Sequence, residues 1–238
     1  MKKDPRLIVA LDVDSYRKAA RLVKRLSGYV KVFKVGHILF TRYGPRIINY
    51  INKSGGKVFL DLKYMDIPNT VSNAARKATE LGVYMLNVHA LSGKETMRRT
   101  AEAVTKEARR LHIYKPILIA VTVLTSLHER DLSPLGVKGG IKGLVLKLAQ
   151  AAKSSGFDGV VTSAREVRMI KEKFGDNFVA VTPGIRPKWA LDKKDQKRVM
   201  TPKEAIDAGS DFIVVGRPII EARKPLKAVK QILEEISD

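Results

Sequence analysis

Residues 57–89 read KVFLDLKYMDIPNTVSNAARKATELGVYMLNVH, and this stretch decides the fold. It opens on a short apolar run at 57–61 and passes through a turn. Apolar residues then recur at helical spacing over 70–81, Gly82 ends that pattern, and a second apolar run follows at 84–88. The same unit repeats in both directions. Strands are expected at 7–11, 30–35, 57–61, 84–88, 117–123, 159–161, 178–181 and 212–215. Helical patterns lie near 16–26, 38–53, 70–81, 94–111, 142–155, 164–173, 202–208 and 219–236. Several of the strands are continuous apolar runs, as required where helices cover both faces of a parallel sheet. Gly28, Gly55, Gly82, Gly156 and Gly209 follow helical patterns, where a left-handed C-cap would sit. Eight strands alternating with eight helices predict a single α/β domain over residues 1–238, a (β/α)8 TIM barrel. A doubly wound sheet is the alternative, but no G-x-G-x-x-G follows the first strand and no second domain remains.

Composition narrows the function. With 45 Lys+Arg against 24 Asp+Glu the net charge is +21, and there is no cysteine. A disulfide scaffold, a thiol nucleophile and a thiolate-held zinc or iron–sulfur cluster are therefore excluded. The charge invites a nucleic-acid reading, yet it is spread along the chain, mixed with acids at 102–110 and 165–173, and aromatics are only 6%. A solvated, heavily charged surface is the expectation, with no nucleic-acid partner. The apolar stretch 7–11 is too short for a signal peptide and no apolar run would span a bilayer, so a cytoplasmic protein without a membrane partner is expected.

In this fold the chemistry sits at the C-terminal ends of the strands. Asp12 ends the first, Lys34 lies at the end of the second, and Asp61 and Lys63 close the third, with Asp66 just beyond. Asp61 and Lys63 are two apart, so an extended segment points both to one side. Such charges on an apolar strand are costly to bury unless they pair. An alternating array of Asp12, Lys34, Asp61, Lys63 and Asp66 is expected, serving either as an ion-pair ring that caps the barrel or as a reaction centre. An ammonium held between carboxylates is a poor base but a well-placed proton donor to a nearby carbanion. The four histidines are scattered, and His89, at the end of strand four, is read as structural; no metal site is expected.

The last strands carry a different signal. VTPGIRP follows strand seven and VVGRPII follows strand eight. Loops there commonly form a phosphate site from backbone N–H groups and a basic side chain, which points to Arg186, Gly216 and Arg217. The basic segment between them, with Gln196, is expected to form a closing lid over 184–199. GVKGGIKG at 136–143 lacks the P-loop pattern and is read as a connection.

LIVALDVD, VFKVG, VFLDLKYMDIPNTV, LNVHA, VTVLTSL, VTPGIRP, DQKRVMTP and GSDFIVVGRPI, in this order across almost the whole chain, resemble the orotidine 5′-phosphate decarboxylase family in its compact bacterial form. The resemblance implies decarboxylation of orotidine 5′-monophosphate to UMP without metal or cofactor. It implies that Lys63 is the proton donor to C6 and that Asp61 faces the substrate carboxylate. It makes the enzyme a homodimer in which Asp66 and Thr70 reach the neighbouring site. It gives Asp12 and Lys34 ribose contacts, Ile67 and Thr125 pyrimidine contacts, and Arg186, Gln196, Gly216 and Arg217 the phosphate. Tyr64 and Met65 depart from the family's usual aromatic and His, and LSGKETM from its Gly-rich turn; neither change touches a matched charge. Barrel lyases that use Mg²⁺ share D-x-K-x-x-D but typically end the second strand in Glu, where this chain has Lys34.

Overall fold

The computed structural model describes residues 4–190 and 200–237. In chain order the elements are β1 (Asp4–Ala10), α1 (Tyr16–Leu26), β2 (Val30–Gly36), α2 (His37–Tyr43), α3 (Pro45–Lys53), β3 (Lys57–Tyr64), α4 (Pro68–Glu80), β4 (Met85–His89), α5 (Lys94–Arg110) and β5 (Ile117–Val121). They continue with α6 (Glu129–Leu132), α7 (Gly140–Ser154), β6 (Gly159–Val161), α8 (Val167–Phe174), β7 (Val179–Thr182), α9 (Pro202–Asp207), β8 (Phe212–Val215), α10 (Arg217–Ile220) and α11 (Pro225–Glu235). All eight strands run parallel, each bonded to the next, and β8 returns to β1, so the sheet closes as a (β/α)8 barrel.

Two expected helices are broken, for the same kind of reason. The pattern over 38–53 splits into α2 and α3 because Gly44, at φ +50°, is followed by Pro45, whose ring removes the N–H that would continue the helix. The pattern over 219–236 splits into α10 and α11, with Pro225 opening the second. Of the five glycines expected as left-handed caps, Gly55, Gly82, Gly156 and Gly209 have positive φ, and Gly28 does not.

Two layers of apolar side chains hold the barrel. Ile8, Ala10, Val32, Phe59, Met85, Ile119, Val181, Phe212 and Val214 form one buried cluster inside it. The larger cluster lies between strands and helices and includes Leu7, Val9, Phe33, Leu60, Leu86 and Leu118. Residues that alternate along one strand therefore belong to different layers, as the two-residue period demands. Counting by two from the inner cluster towards the strand ends gives 8–10–12, 32–34, 59–61 and 85–87. The pleat itself thus aims Asp12, Lys34, Asp61 and Asn87 onto the inner face above the plug. No helix among the described residues is long and apolar enough to cross a membrane.

Candidate active site

Four of the five charges expected as an array meet. Lys34 Nζ lies 2.9 Å from Asp12 Oδ1 and 3.1 Å from Asp61 Oδ2, and Lys63 Nζ lies 2.6 Å from Asp61 Oδ1. The order is Asp12–Lys34–Asp61–Lys63, each charge touching only opposite ones. Burial alone would push the Lys34 ammonium down, but Asp61 and then Asp12 outweigh it and hold its pKa above the ordinary 10.5. Burial would likewise raise Asp61, and Lys34, Lys63 and the hydrogen bonds from Lys63 and Asn87 overcome it. Its carboxyl is held at about 2 against an ordinary 3.8. Gly36 leaves room for this pairing, since a methyl there would sit 3.1 Å from Lys34 Nζ and 3.2 Å from Asp12 Oδ1.

Asp66 departs from the expected array. It lies on the exposed loop after β3, and its Oδ1 accepts a 2.6 Å hydrogen bond from the neighbouring Ile67 N–H. No ion pair joins it to the other four charges among the described residues, and it does not line the cavity described below. Ile67, 65% exposed, and Thr70, also exposed, share that surface and do not line the cavity described below.

Local backbone geometry explains how β3 presents its charges. Leu60 pairs with Leu86 and Tyr64 with Val88, so four residues of β3 advance against two of β4. Within this irregularity Lys63 takes φ +46°, one of only two non-glycine residues with positive φ among those described. Asn87, fully buried on β4, meets the distortion from the side. Its Oδ1 accepts from the Lys63 N–H at 2.7 Å, and its Nδ2 donates to Asp61 Oδ1 at 2.7 Å. Sequence reasoning passed over this residue, although an amide in the apolar run MLNVH, two before His89, was the available signal. His89 Nδ1 accepts from Leu91 N–H at 3.3 Å, and burial followed by the nearby Lys63 charge holds its pKa below 6.5. It is a neutral cap on the turn after β4, in keeping with a structural role.

A cavity of about 320 Å³ opens above the array. Asp12, Lys34, Asp61 and Lys63 line it together with the apolar Val121, Val123, Leu124 and Val161, with Thr125, and with Arg186, Gly216 and Arg217. Gly216 adjoins the array, since a methyl there would sit 3.8 Å from Asp12 Oδ2. That is room for a small organic anion, with cationic side chains and a hydrophobic wall around it. The predicted lid is described through Ala190, where Lys188–Ala190 forms a 3₁₀ turn, and the Arg186 N–H donates to Met200 O at 3.1 Å. Gln196 and the rest of that segment, 191–199, lie outside the described residues. No group of three or more His, Cys, Asp or Glu suited to a metal occurs among the described residues.

The fold is a (β/α)8 barrel, and its strand ends carry a cavity lined by a paired charge array and two arginines. The chain belongs to the orotidine 5′-phosphate decarboxylase / HUMPS family, whose model matches residues 5–232. It is 48% identical over 240 residues to the orotidine 5′-phosphate decarboxylase of Syntrophomonas wolfei, with all of both chains covered. It is 50% identical over 232 residues to that of Syntrophotalea carbinolica, covering 98% of this chain and 95% of the relative. Among solved structures, the orotidine 5′-phosphate decarboxylase of Lactobacillus acidophilus superposes with a TM-score of 0.84 at 38% identity, over 99% of this chain and 100% of the other.

Proposed function

We infer that this chain decarboxylates orotidine 5′-monophosphate to UMP and CO₂, the closing step of pyrimidine nucleotide synthesis. The observation that carries the reading is the Asp12–Lys34–Asp61–Lys63 chain in one cavity with Arg186, Gly216 and Arg217. That combination suits a nucleotide, with the charge array at the reacting ring and the arginines at the phosphate. In this reading Arg186 and Arg217 take the phosphate, Gly216 lets the backbone approach it, and Gln196 adds an amide donor from the lid. Asp12 and Lys34 bind the ribose hydroxyls, and Thr125 contacts the pyrimidine along the Val121–Leu124 wall.

The bond from C6 to the carboxylate breaks, CO₂ leaves, and the electron pair stays on C6. Lys63, held as an ammonium against Asp61, stabilises that pair and then gives C6 a proton; the amine regains one from solvent. Asp61 faces the departing carboxylate, so like-charge contact is relieved as CO₂ forms. Phosphate binding at the far end supplies energy that is used at the reacting carbon.

The same reading makes the enzyme a homodimer. Asp66, Ile67 and Thr70 are exposed in the single chain, beside the exposed apolar Met65, and Ile38 at the start of α2 and Leu91 in the 3₁₀ turn after β4 are exposed as well. A second copy seated there covers these side chains, and Asp66, Ile67 and Thr70 complete its site.

Loss of orotidine 5′-monophosphate absorbance with purified protein in excess EDTA tests the activity. Turnover is expected. No turnover with EDTA, together with Mg²⁺-dependent activity on a sugar phosphate, would instead place the chain among the metal-using barrel lyases. Mixing Lys63→Ala and Asp66→Ala chains tests the shared site, since one of two hybrid sites regains both residues. Hybrids as inactive as either parent would rule out the crossing of Asp66.

A further inference from the structure

We propose that Asn87 is a positioning residue for the proton donor: its side-chain amide holds both the Lys63 backbone and the carboxylate that orients the Lys63 ammonium. The inference rests on the decarboxylase reading above and adds a residue to it.

Three observations converge on this amide. Where four residues of β3 run against two of β4, the regular ladder fails, and the Lys63 N–H finds its acceptor in Asn87 Oδ1 at 2.7 Å. Lys63 sits at φ +46°, a conformation strained for a non-glycine residue that persists only where surrounding bonds enforce it. The other end of the same amide donates to Asp61 Oδ1 at 2.7 Å, the oxygen that also receives Lys63 Nζ at 2.6 Å. Backbone and side chain of the donor are thus tied to one planar group. Asn87 is fully buried, absent from the cavity lining, and has no other role in the chemistry. Its neutrality matters as well. It faces Asp61 and Lys63 of β3, with Lys34 of β2 across Asp61 and His89 two residues along its own strand, and an added charge would upset the alternation.

Two variants separate the roles. Asn87→Leu keeps the branched shape of the side chain and removes both hydrogen bonds. It should lower kcat about 10²-fold, as expected for a misplaced reacting group, while KM stays within about threefold. Asn87→Asp imitates the amide while its carboxyl is protonated and repels Asp61 once ionised. Its kcat should fall with rising pH through one ionisation between pH 5 and 8 in addition to whatever the parent's profile contains. Independently of turnover, exchange of the Lys63 amide proton should accelerate at least about tenfold in Asn87→Leu.

The inference is overturned if Asn87→Leu keeps kcat within about threefold of the parent. It is equally overturned if kcat, KM and thermal stability decline together while Asn87→Asp keeps the parent's pH profile, because that describes a packing residue. Should Asn87→Leu fail to fold, the nearly isosteric Asn87→Asp carries the test. Inactivity of the unmodified protein would count against the proposed reaction, and exchange at Lys63 would still decide the clamp.

Discussion

Asp61 offers the sharpest quantitative test, because its environment is worth a definite amount of stability over a definite pH range. Its carboxyl is held at about 2 in the folded chain and returns to the ordinary 3.8 on unfolding. At about 1.4 kcal/mol per pH unit, the difference is worth about 2 kcal/mol in favour of the folded state. A depressed carboxylate contributes fully above its unfolded value, here above about pH 5, and the contribution disappears as pH falls towards about 2. By pH 3 the unfolded state already takes up most of a proton and the folded state very little, so about 1 kcal/mol of the contribution is gone.

The perturbation is Asp61→Asn, which keeps shape and removes the titrating group. At neutral pH it should destabilise by roughly 3–5 kcal/mol, since two ammonium groups, Lys34 and Lys63, lose their shared counter-charge. That difference mixes lost bonds with uncompensated charge, so its change with pH is the informative quantity. Urea unfolding of both proteins at pH 7, 5, 4 and 3 should show the gap narrowing by about 1 kcal/mol between pH 5 and 3 and constant above pH 5. Parallel curves down to pH 3 would refute the argument, for Asp61 would then titrate alike in folded and unfolded chains.

Lys63→Ala should lower kcat by about 10²–10⁴-fold in the absorbance assay, the usual worth of a placed proton donor, and an effect confined to KM would remove Lys63 from that role. Arg217→Ala should lower kcat/KM more than about tenfold although it is no member of the charge array; a smaller loss would mean that phosphate binding contributes little at C6. Gly159→Ala should destabilise the barrel, because the new methyl would lie 2.0 Å from Val179 O on the adjoining strand. Overpacking of this kind costs about 1–3 kcal/mol. A drop in melting temperature of roughly 5–10 °C is expected by scanning calorimetry, and an unchanged value would show that β6 and β7 can part without loss.

The barrel was legible because its signals are local and repeated. Each apolar run, followed by a helical pattern and often a glycine, reports on its own neighbourhood, and eight such units leave few closed topologies. Helix interruptions were less legible: periodicity runs straight across Gly44–Pro45 and Pro225, whereas the backbone cannot. The pairing of Asp12, Lys34, Asp61 and Lys63 could be read from strand ends and two-residue spacing, and the four side chains do meet. Asp66 shows the limit of that arithmetic, since it lies beyond the end of β3, where the two-residue period no longer applies, and its carboxylate accepts from the Ile67 N–H instead of joining the array. Asn87 was hidden for a different reason. Its importance comes from a mismatch of register between β3 and β4, which exists only once the two strands are laid side by side.

The strict alternation of Asp12, Lys34, Asp61 and Lys63 also bears on how such a site can evolve. Removing any one member strands the charges beside it, so single replacements within the chain start with a loss. A lineage that turned this barrel to another chemistry would have to exchange two of the four almost together, or first recruit an outside counter-ion. The ion pairs that prepare the site for one reaction therefore also isolate it from its mutational neighbours.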